Sequence, residues 1–375
     1  MTKAPESASF AFSGVTPSGP FLIDITIVYE VDMTKKNIRK QRATLSIMLL
    51  CGAALLMWAS YRMAAEPFAL WIFGDEVAVP SFIIPQHEVV GRGDVIFTPP
   101  PEFEHNVTIA TLPALSYEYT QRLHDFGYLT SRIFLVDPET ILLPSDIDVH
   151  SFLEADLTIE TNVDGPLVLI FHTHSTEMFI DSDPAFPMTG IMGVGEYLAQ
   201  VLATRHGIET MHYTGRFDML DGISHRQGSY ERMEPVIRQI LANNPSIQVV
   251  IDLHRDGVPA HLPAFVHYIE GVETAQIMFF NGLSRQNRAG QAVDVTRLPN
   301  PYQRENLNFT FQMQLAGNQM YPGLLRRAYL RAFRYSLHMM PLSTLVEVGN
   351  QFNTQQQAKN AMYPLSDIIA AVVIP

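Results

Sequence analysis

Residues 165–177 read Gly165-Pro166-Leu167-Val168-Leu169-Ile170-Phe171-His172-Thr173-His174-Ser175-Thr176-Glu177, and the fold follows from them. An unbroken apolar run from Pro166 to Phe171 gives way abruptly to imidazoles, hydroxyls and a carboxylate. A short continuous run of this kind suits a strand buried on both faces, the type found in parallel sheets covered by helices. The polar cluster then falls at the strand's end, where active residues of such sheets collect.

The pattern recurs downstream. Ile247 to Leu253 reads as a second buried strand and closes on Asp252-Leu253-His254-Arg255-Asp256. Ala275 to Phe280 is a third. Leu345 to Val348 is a fourth, closing on Glu347-Val348-Gly349-Asn350. Between them, the spacing predicts a helix over 194–206, with Tyr197, Leu198, Val201 and Leu202 on one side, then a strand over 208–213. A further helix is predicted over 230–242, stopped by Asn243-Asn244-Pro245, with Pro235 tolerable only near its first turn. The chain closes on a predicted helix over 354–371, capped by Asn353 and kinked or divided at Pro364. Strands alternating with helices define an α/β fold, a layered sheet with helices on both faces.

The three strand-end clusters carry the chemistry. Neutral imidazole with carboxylate suits zinc, which in catalytic sites takes three protein ligands and keeps a position for water. A hydrolase then needs a further carboxylate to manage the water's protons. Taken singly, each cluster is more often plain structure: Asp252 and Asp256 can cap or pair with Arg255, and Glu347 can be a buried ion-pair partner. His206, His212, His225, His261, His267 and His338 lack the strand-end context and default to structural or solvent roles, with His261 and His267 nearest the second cluster.

The N-terminal part has a different character. Thr44 to Tyr61, TLSIMLLCGAALLMWASY, contains no charge and as a helix spans about 27 Å, close to a bilayer's hydrocarbon thickness. Lys35, Lys36, Arg39, Lys40 and Arg42 precede it, so the N-terminus is expected in the cytoplasm and the remainder outside. Cys51 is an apolar residue of this span, and a single cysteine excludes a disulfide framework. The expected plan is a cytoplasmic basic tail (1–43), a transmembrane helix (44–61), a stalk or small module punctuated by Pro99-Pro100-Pro101 (62–162), and the α/β domain (163–375). The net charge of -13 argues against nucleic acid as a partner.

At LVLIFHTHSTE, VVIDLHRDG, MYPGLLRRAYL and TLVEVGNQFNTQQQAKNAM the chain resembles the stage II sporulation protein P family of cell-wall hydrolases. The closing VEVG…N is also similar to the wider zinc-dependent N-acetylmuramoyl-L-alanine amidases. The resemblance implies one zinc and cleavage of the amide between N-acetylmuramic acid and L-alanine, with endopeptidase action on peptide cross-links in some members. It further implies peptidoglycan as substrate, attachment to the cytoplasmic membrane, and a lytic transglycosylase partner in sporulation. Carried over by position, His174, His254 and Glu177 are the implied metal ligands, with Glu196 competing for the third place. Glu347 is the implied general base, and Arg255 the cationic group at the oxyanion. His172, Asp256 and Arg326 are implied to support the ligands or touch substrate. The family's Tyr-Asn-Gln-Asp run survives here only as Tyr335, and the stretch before Gly228-Ser229-Tyr230 also diverges. Two rival readings are a peptidoglycan-binding scaffold with a degenerate site and a zinc peptidase without amidase activity.

Overall fold

The computed structural model describes residues 6–16, 19–29, 89–90 and 114–375. The chain divides into two compact units, Met1–Phe82 and Ile83–Pro375. In the first, Glu6–Thr16 pairs antiparallel with Gly19–Tyr29, placing Phe10 opposite Ile25 and Phe12 opposite Ile23. The tail expected over 1–43 therefore contains a strand pair. Phe21, Ile23, Ile25 and Ile27 recur at the strand period of two, a signal that the basic block further on overshadows. The transmembrane helix expected over 44–61 lies outside the described residues. Among those described, no helix is long and apolar enough to cross a membrane.

The second unit is built on an eight-stranded sheet: β1 (Val89–Val90), β2 (Phe134–Val136), β3 (Val168–Phe171), β4 (Thr210–His212), β5 (Val249–Asp256), β6 (Ile277–Gly282), β7 (Ala328–Arg331) and β8 (Ser343–Asn350). Their order across the sheet is β1-β4-β3-β5-β8-β6-β7-β2. The centre, from β4 through β3 and β5 to β8, is parallel. β6 runs antiparallel to β8, and β1 antiparallel to β4. The helices of six residues or more are α1 (Tyr117–Leu123), α2 (Val149–Glu154), α3 (Ile191–His206), α4 (Ser229–Asn243), α5 (Gln303–Met320), α6 (Gln355–Asn360) and α7 (Met362–Val373).

Alternation along β3 divides the core. Val168 and Ile170 pack with Val194 and Leu198 of α3, Phe309 and Phe311 of α5, and Ile368 of α7. Leu169 and Phe171 face the other way, against Met233, Ile237 and Ile240 of α4. The sheet is thus covered on both faces, which is why its strands read as continuous apolar runs. β2 and α2 also belong here: Phe134 and Phe152 are fully buried with Phe311, and β2 pairs with β7. The domain therefore begins well before residue 163. The stalk expected up to 162 ends its described part as the sheet's edge, because three strand residues are too few to register as a periodic pattern.

Of two prolines, Pro235 departs from expectation and Pro364 accompanies the expected division of its helix. Pro235 lies inside α4 on an exposed position, so the carbonyl it leaves without a partner is on the solvent side. The closing helix breaks at Ala361, three residues before Pro364, which then sits in the first turn of α7, where a missing N–H costs nothing. Its cap is Thr354 rather than Asn353: Thr354 Oγ1 accepts from Gln357 N at 3.1 Å, and Gln357 Oε1 accepts from Thr354 N at 3.1 Å. Asn353 instead holds the loop after β8, its Oδ1 accepting from Asn350 N and Phe265 N.

Candidate functional site

β3, β5 and β8 are neighbours and run parallel, so their carboxyl ends lie side by side at one edge of the sheet. The chain leaves β3 through α3 on one face to β4, then returns through α4 on the other face to β5, on β3's far side. Connections that part in opposite directions open a crevice between β3 and β5. Parallel pairing places Glu347 level with His254. Beyond Glu347 the register shifts, and Gly349 takes a φ of 58°, a left-handed conformation that strand-forming side chains resist.

His254 and Glu177 meet: His254 Nδ1 lies 3.3 Å from Glu177 Oε2, and the two side chains are almost fully buried. On its other edge, His254 Nε2 is 2.7 Å from Asp252 Oδ1, close enough for an ion pair but too poorly aligned for a good hydrogen bond. Asp252 in turn accepts from Thr173 N and Thr173 Oγ1, at 2.9 and 2.7 Å. Asp252 therefore serves His254 and Thr173 rather than Arg255. Burial opposes the imidazolium of His254, but the flanking Asp252 and Glu177 outweigh it and hold its pKa well above the usual histidine value.

Glu177 collects two further donors. Arg255 N donates to its Oε2 and Arg226 Nη2 to its Oε1, each at 2.9 Å. Burial alone would raise its pKa; His254 and Arg255 more than reverse that and pull it down to about 2. Glu196, the competing candidate, is exposed on α3. The fold brings Glu177, and not Glu196, to His254.

His174 stands edge-on to His254, ring centroids 5.3 Å apart, and edge-on to Tyr230 at 5.7 Å. Its Nδ1 is buried without a hydrogen-bond partner. Burial, reinforced by the nearby His254 charge, lowers its pKa to about 4, so it is a neutral imidazole with a lone pair available at neutral pH. Glu347 carries a second orphan, a buried Oε2. Burial, with Glu177, Asp256 and Asp252 adding to it against the opposing His254, raises its pKa to about 8.

The remaining sequence candidates are drawn into structural contacts. His172 is fully buried, and its Nδ1 donates to the Leu253 carbonyl at 2.7 Å. That bond fixes its tautomer, so its Nε2 accepts from His212 Nε2 at 2.8 Å. His172 thereby anchors the strand residue preceding His254. Gly195 makes room for it: a Cβ there would lie 2.5 Å from His172 Nε2. Arg255 spends its guanidinium on the backbone, Nε donating to Met178 O at 2.9 Å and Nη1 to Asp256 O at 3.2 Å. Asp256 and Arg326 pair with each other at 2.7 Å, and Arg326 lies over the Phe265 ring at 4.3 Å.

Three residues of the site were not foreseen. Asp218, fully buried, accepts from Ser175 Oγ at 2.6 Å and Thr176 N at 2.9 Å, and so fixes the turn between His174 and Glu177. Tyr230 forms a wall with Tyr335, 5.5 Å between centroids, which continues to Phe280 at 4.7 Å. Arg226 reaches Glu177 from an exposed loop. None of these sits at a strand end, so the pattern that found the other residues does not reach them.

His174, His254 and Glu177 have the donor chemistry of a zinc site. The orphaned His174 Nδ1 and the carboxylate behind His254 are the accompaniments such a site has. Among the described residues, however, no three His, Cys, Asp or Glu side chains are grouped so as to hold a metal ion. The fit lies in the donors, and the histidine–carboxylate contacts would have to open to admit the ion.

A family model described as stage II sporulation protein P matches residues 136–370. The stage II sporulation protein P of Bacillus subtilis (strain 168) is 23% identical over 226 residues, covering 56% of this chain and 52% of that protein. The chain thus spans about half the length of this curated relative. Among solved structures, the apo N-acetylmuramyl-L-alanine amidase of Mycobacterium abscessus is 16% identical, covering 56% of this chain and 98% of its own, with a TM-score of 0.30. The N-acetylmuramoyl-L-alanine amidase of Clostridium difficile 630 is 14% identical, covering 55% and 94%, with a TM-score of 0.33.

Proposed function

The chain belongs to the stage II sporulation protein P family, and from that membership and its strand-end cluster we propose that it is a peptidoglycan hydrolase of sporulation that cleaves the N-acetylmuramoyl-L-alanine amide. The observation that carries the proposal is the convergence of His174, His254 and Glu177 beside Glu347, with His174 Nδ1 and Glu347 Oε2 buried and unpartnered among them. His174, His254 and Glu177 would hold a zinc ion. When bound, zinc supplies a Lewis-acid charge and lowers the pKa of a bound water toward about 7.

The chain's own groups do the rest. Glu347 takes a proton from the attacking water and returns it to the leaving amine. Asp252 fixes the His254 ring and keeps its Nδ1 turned toward Glu177. Asp218 and the Arg255 backbone N–H hold the 174–177 turn at the end of β5. Tyr230 shields His174 from water on one edge.

Digestion of purified cell wall by the zinc-loaded chain is the test. Muramic acid freed of its peptide, read by mass spectrometry, is the expected product. Cleaved cross-links with intact muramoyl-alanine would instead favour a zinc peptidase. Binding to wall without any release would favour a scaffold.

The same reading places the enzyme outside the cytoplasm, tethered to the membrane through residues 44–61 and working beside a lytic transglycosylase. Protease added to intact spheroplasts should then remove the C-terminal unit. Complete protection of that unit would exclude the cell-wall substrate.

A further inference from the structure

We infer that Arg226 is a specificity residue that reads a free carboxylate on the substrate's peptide, one or two residues from the scissile amide. The inference rests on the amidase reading above and names a substrate feature for the same site.

Cations are scarce around the cluster. From residue 133 to residue 204 the chain has no Lys or Arg, although that segment supplies His174 and Glu177. Three arginines approach from elsewhere, and two are committed. Arg255 donates to the Met178 and Asp256 carbonyls, and Arg326 is paired with Asp256 and stacked on Phe265. Arg226 differs. Its Nη2 donates to Glu177 Oε1 at 2.9 Å, no other hydrogen bond is recorded for its guanidinium among the described residues, and its side chain is 51% exposed. One edge of the fork is therefore fastened to a buried site residue while the other faces solvent at the site's rim.

The loop presenting it is fixed rather than adaptable. His225 N donates to Asp218 O at 2.7 Å and closes the base of a hairpin whose two strands are Met219–Leu220 and Ile223–Ser224. Arg232 clasps both flanks, donating to the carbonyls of Phe217, His225 and Gln227. An arginine held by its neighbours and by Glu177 loses little freedom on binding an anion. Its planar fork matches a carboxylate in a way that a carboxamide cannot reproduce. Glu177 fixes the reach: whatever Arg226 binds lies close to the reacting bond. In peptidoglycan the second residue of the stem carries an α-carboxyl that is either free or amidated, and it lies at that distance from the amide.

The test uses the full chain and two N-acetylmuramoyl tripeptides, identical except for a carboxylate or a carboxamide at that position. Binding is measured by calorimetry in a Glu347→Gln background, where turnover does not interfere. Adding Arg226→Gln should weaken the carboxylate ligand by about tenfold or more and leave the carboxamide ligand unchanged. Arg226→Lys should recover part of the loss, since it restores the charge without the fork. Equal weakening of both ligands, or a fall in zinc content caused by Arg226→Gln, would show Arg226 acting only through Glu177 and overturn the inference. If the parent digests cell wall but Arg226→Gln changes neither ligand's affinity, this inference fails and the amidase reading stands. If wall is not digested and neither tripeptide binds, both fail.

Discussion

Glu347→Gln is expected to give a folded protein that loads zinc like the parent and turns over peptidoglycan at least about 100-fold more slowly. Glutamine keeps the side chain's size and one carbonyl oxygen but cannot take a proton. Stability supplies an independent check, and its sign follows from the surroundings. Burial raises the Glu347 carboxyl to about 8 in the metal-free protein, against about 4.3 for an unfolded chain. Folding therefore takes up a proton at neutral pH. The cost of keeping a carboxyl there is absent below about pH 4.3, grows up to about 8 and is level beyond it. Metal-free Glu347→Gln, free of that cost, should match the parent at low pH and exceed its melting temperature increasingly as pH rises toward 8. A structural ion-pair role predicts the reverse, lower stability at neutral pH with activity per folded molecule retained. Near-normal turnover in a zinc-loaded variant would remove Glu347 from the chemistry.

What could be seen in the sequence divides along one physical line. Strands buried on both faces announce themselves as uninterrupted apolar runs, so β3, β5 and β8 and the polar residues at their ends were readable from composition alone. Parallel neighbours with clusters at the same ends bring those clusters together, as His254 and Glu347 show by facing each other in register. The α5 helix was hidden for the same reason in reverse. Leu307, Phe309, Phe311, Met313 and Leu315 alternate with polar residues at the period of a strand. Yet the helix is buried nearly all round, with Asn306, Thr310 and Gln314 also inside. A helix with no solvent face has no reason to display a 3.6-residue period. Its buried polar groups find partners across the fold instead. Asn306 Nδ2 donates to Leu337 O, and Ser343 N donates to Asn306 Oδ1, tying α5 to the start of β8.

The site's second layer was hidden by distance along the chain. Asp218 acts on Ser175 from 43 residues away, and Arg226 acts on Glu177 from 49 residues away. Both lie in the loop before Gly228-Ser229-Tyr230. Loops of this kind carry function without carrying periodicity. Arg255 shows the converse. Its place beside His254 in sequence suggested a role toward substrate, but residues adjacent on a strand point to opposite faces, and its guanidinium turns to the backbone of the neighbouring turn.

His174→Ala and His254→Ala should both abolish zinc binding and, with it, turnover, but they should separate in the metal-free protein. His254 stands between Asp252 and Glu177, both buried carboxylates, and is the cation that faces them from each side. Deleting it leaves Asp252 only its Thr173 donors, and Glu177 only Arg226 and the Arg255 N–H. Removing one member of a buried ion pair typically costs about 3–5 kcal/mol. Metal-free His254→Ala should therefore be markedly less stable than the parent in denaturant unfolding. His174 has no such obligation. Its Nδ1 has no partner, its imidazole is neutral at neutral pH, and its neighbours are the edges of Tyr230 and His254. Its removal relieves a buried orphan and an unfavourable neighbour to the His254 charge while losing some packing, so metal-free stability should change by no more than about 1 kcal/mol. A residue whose loss strips the metal while barely changing the metal-free fold is one kept for the metal. Zinc retained at one per chain in a folded His174→Ala protein would falsify its assignment as a ligand, and would leave the orphaned Nδ1 without a purpose in the site.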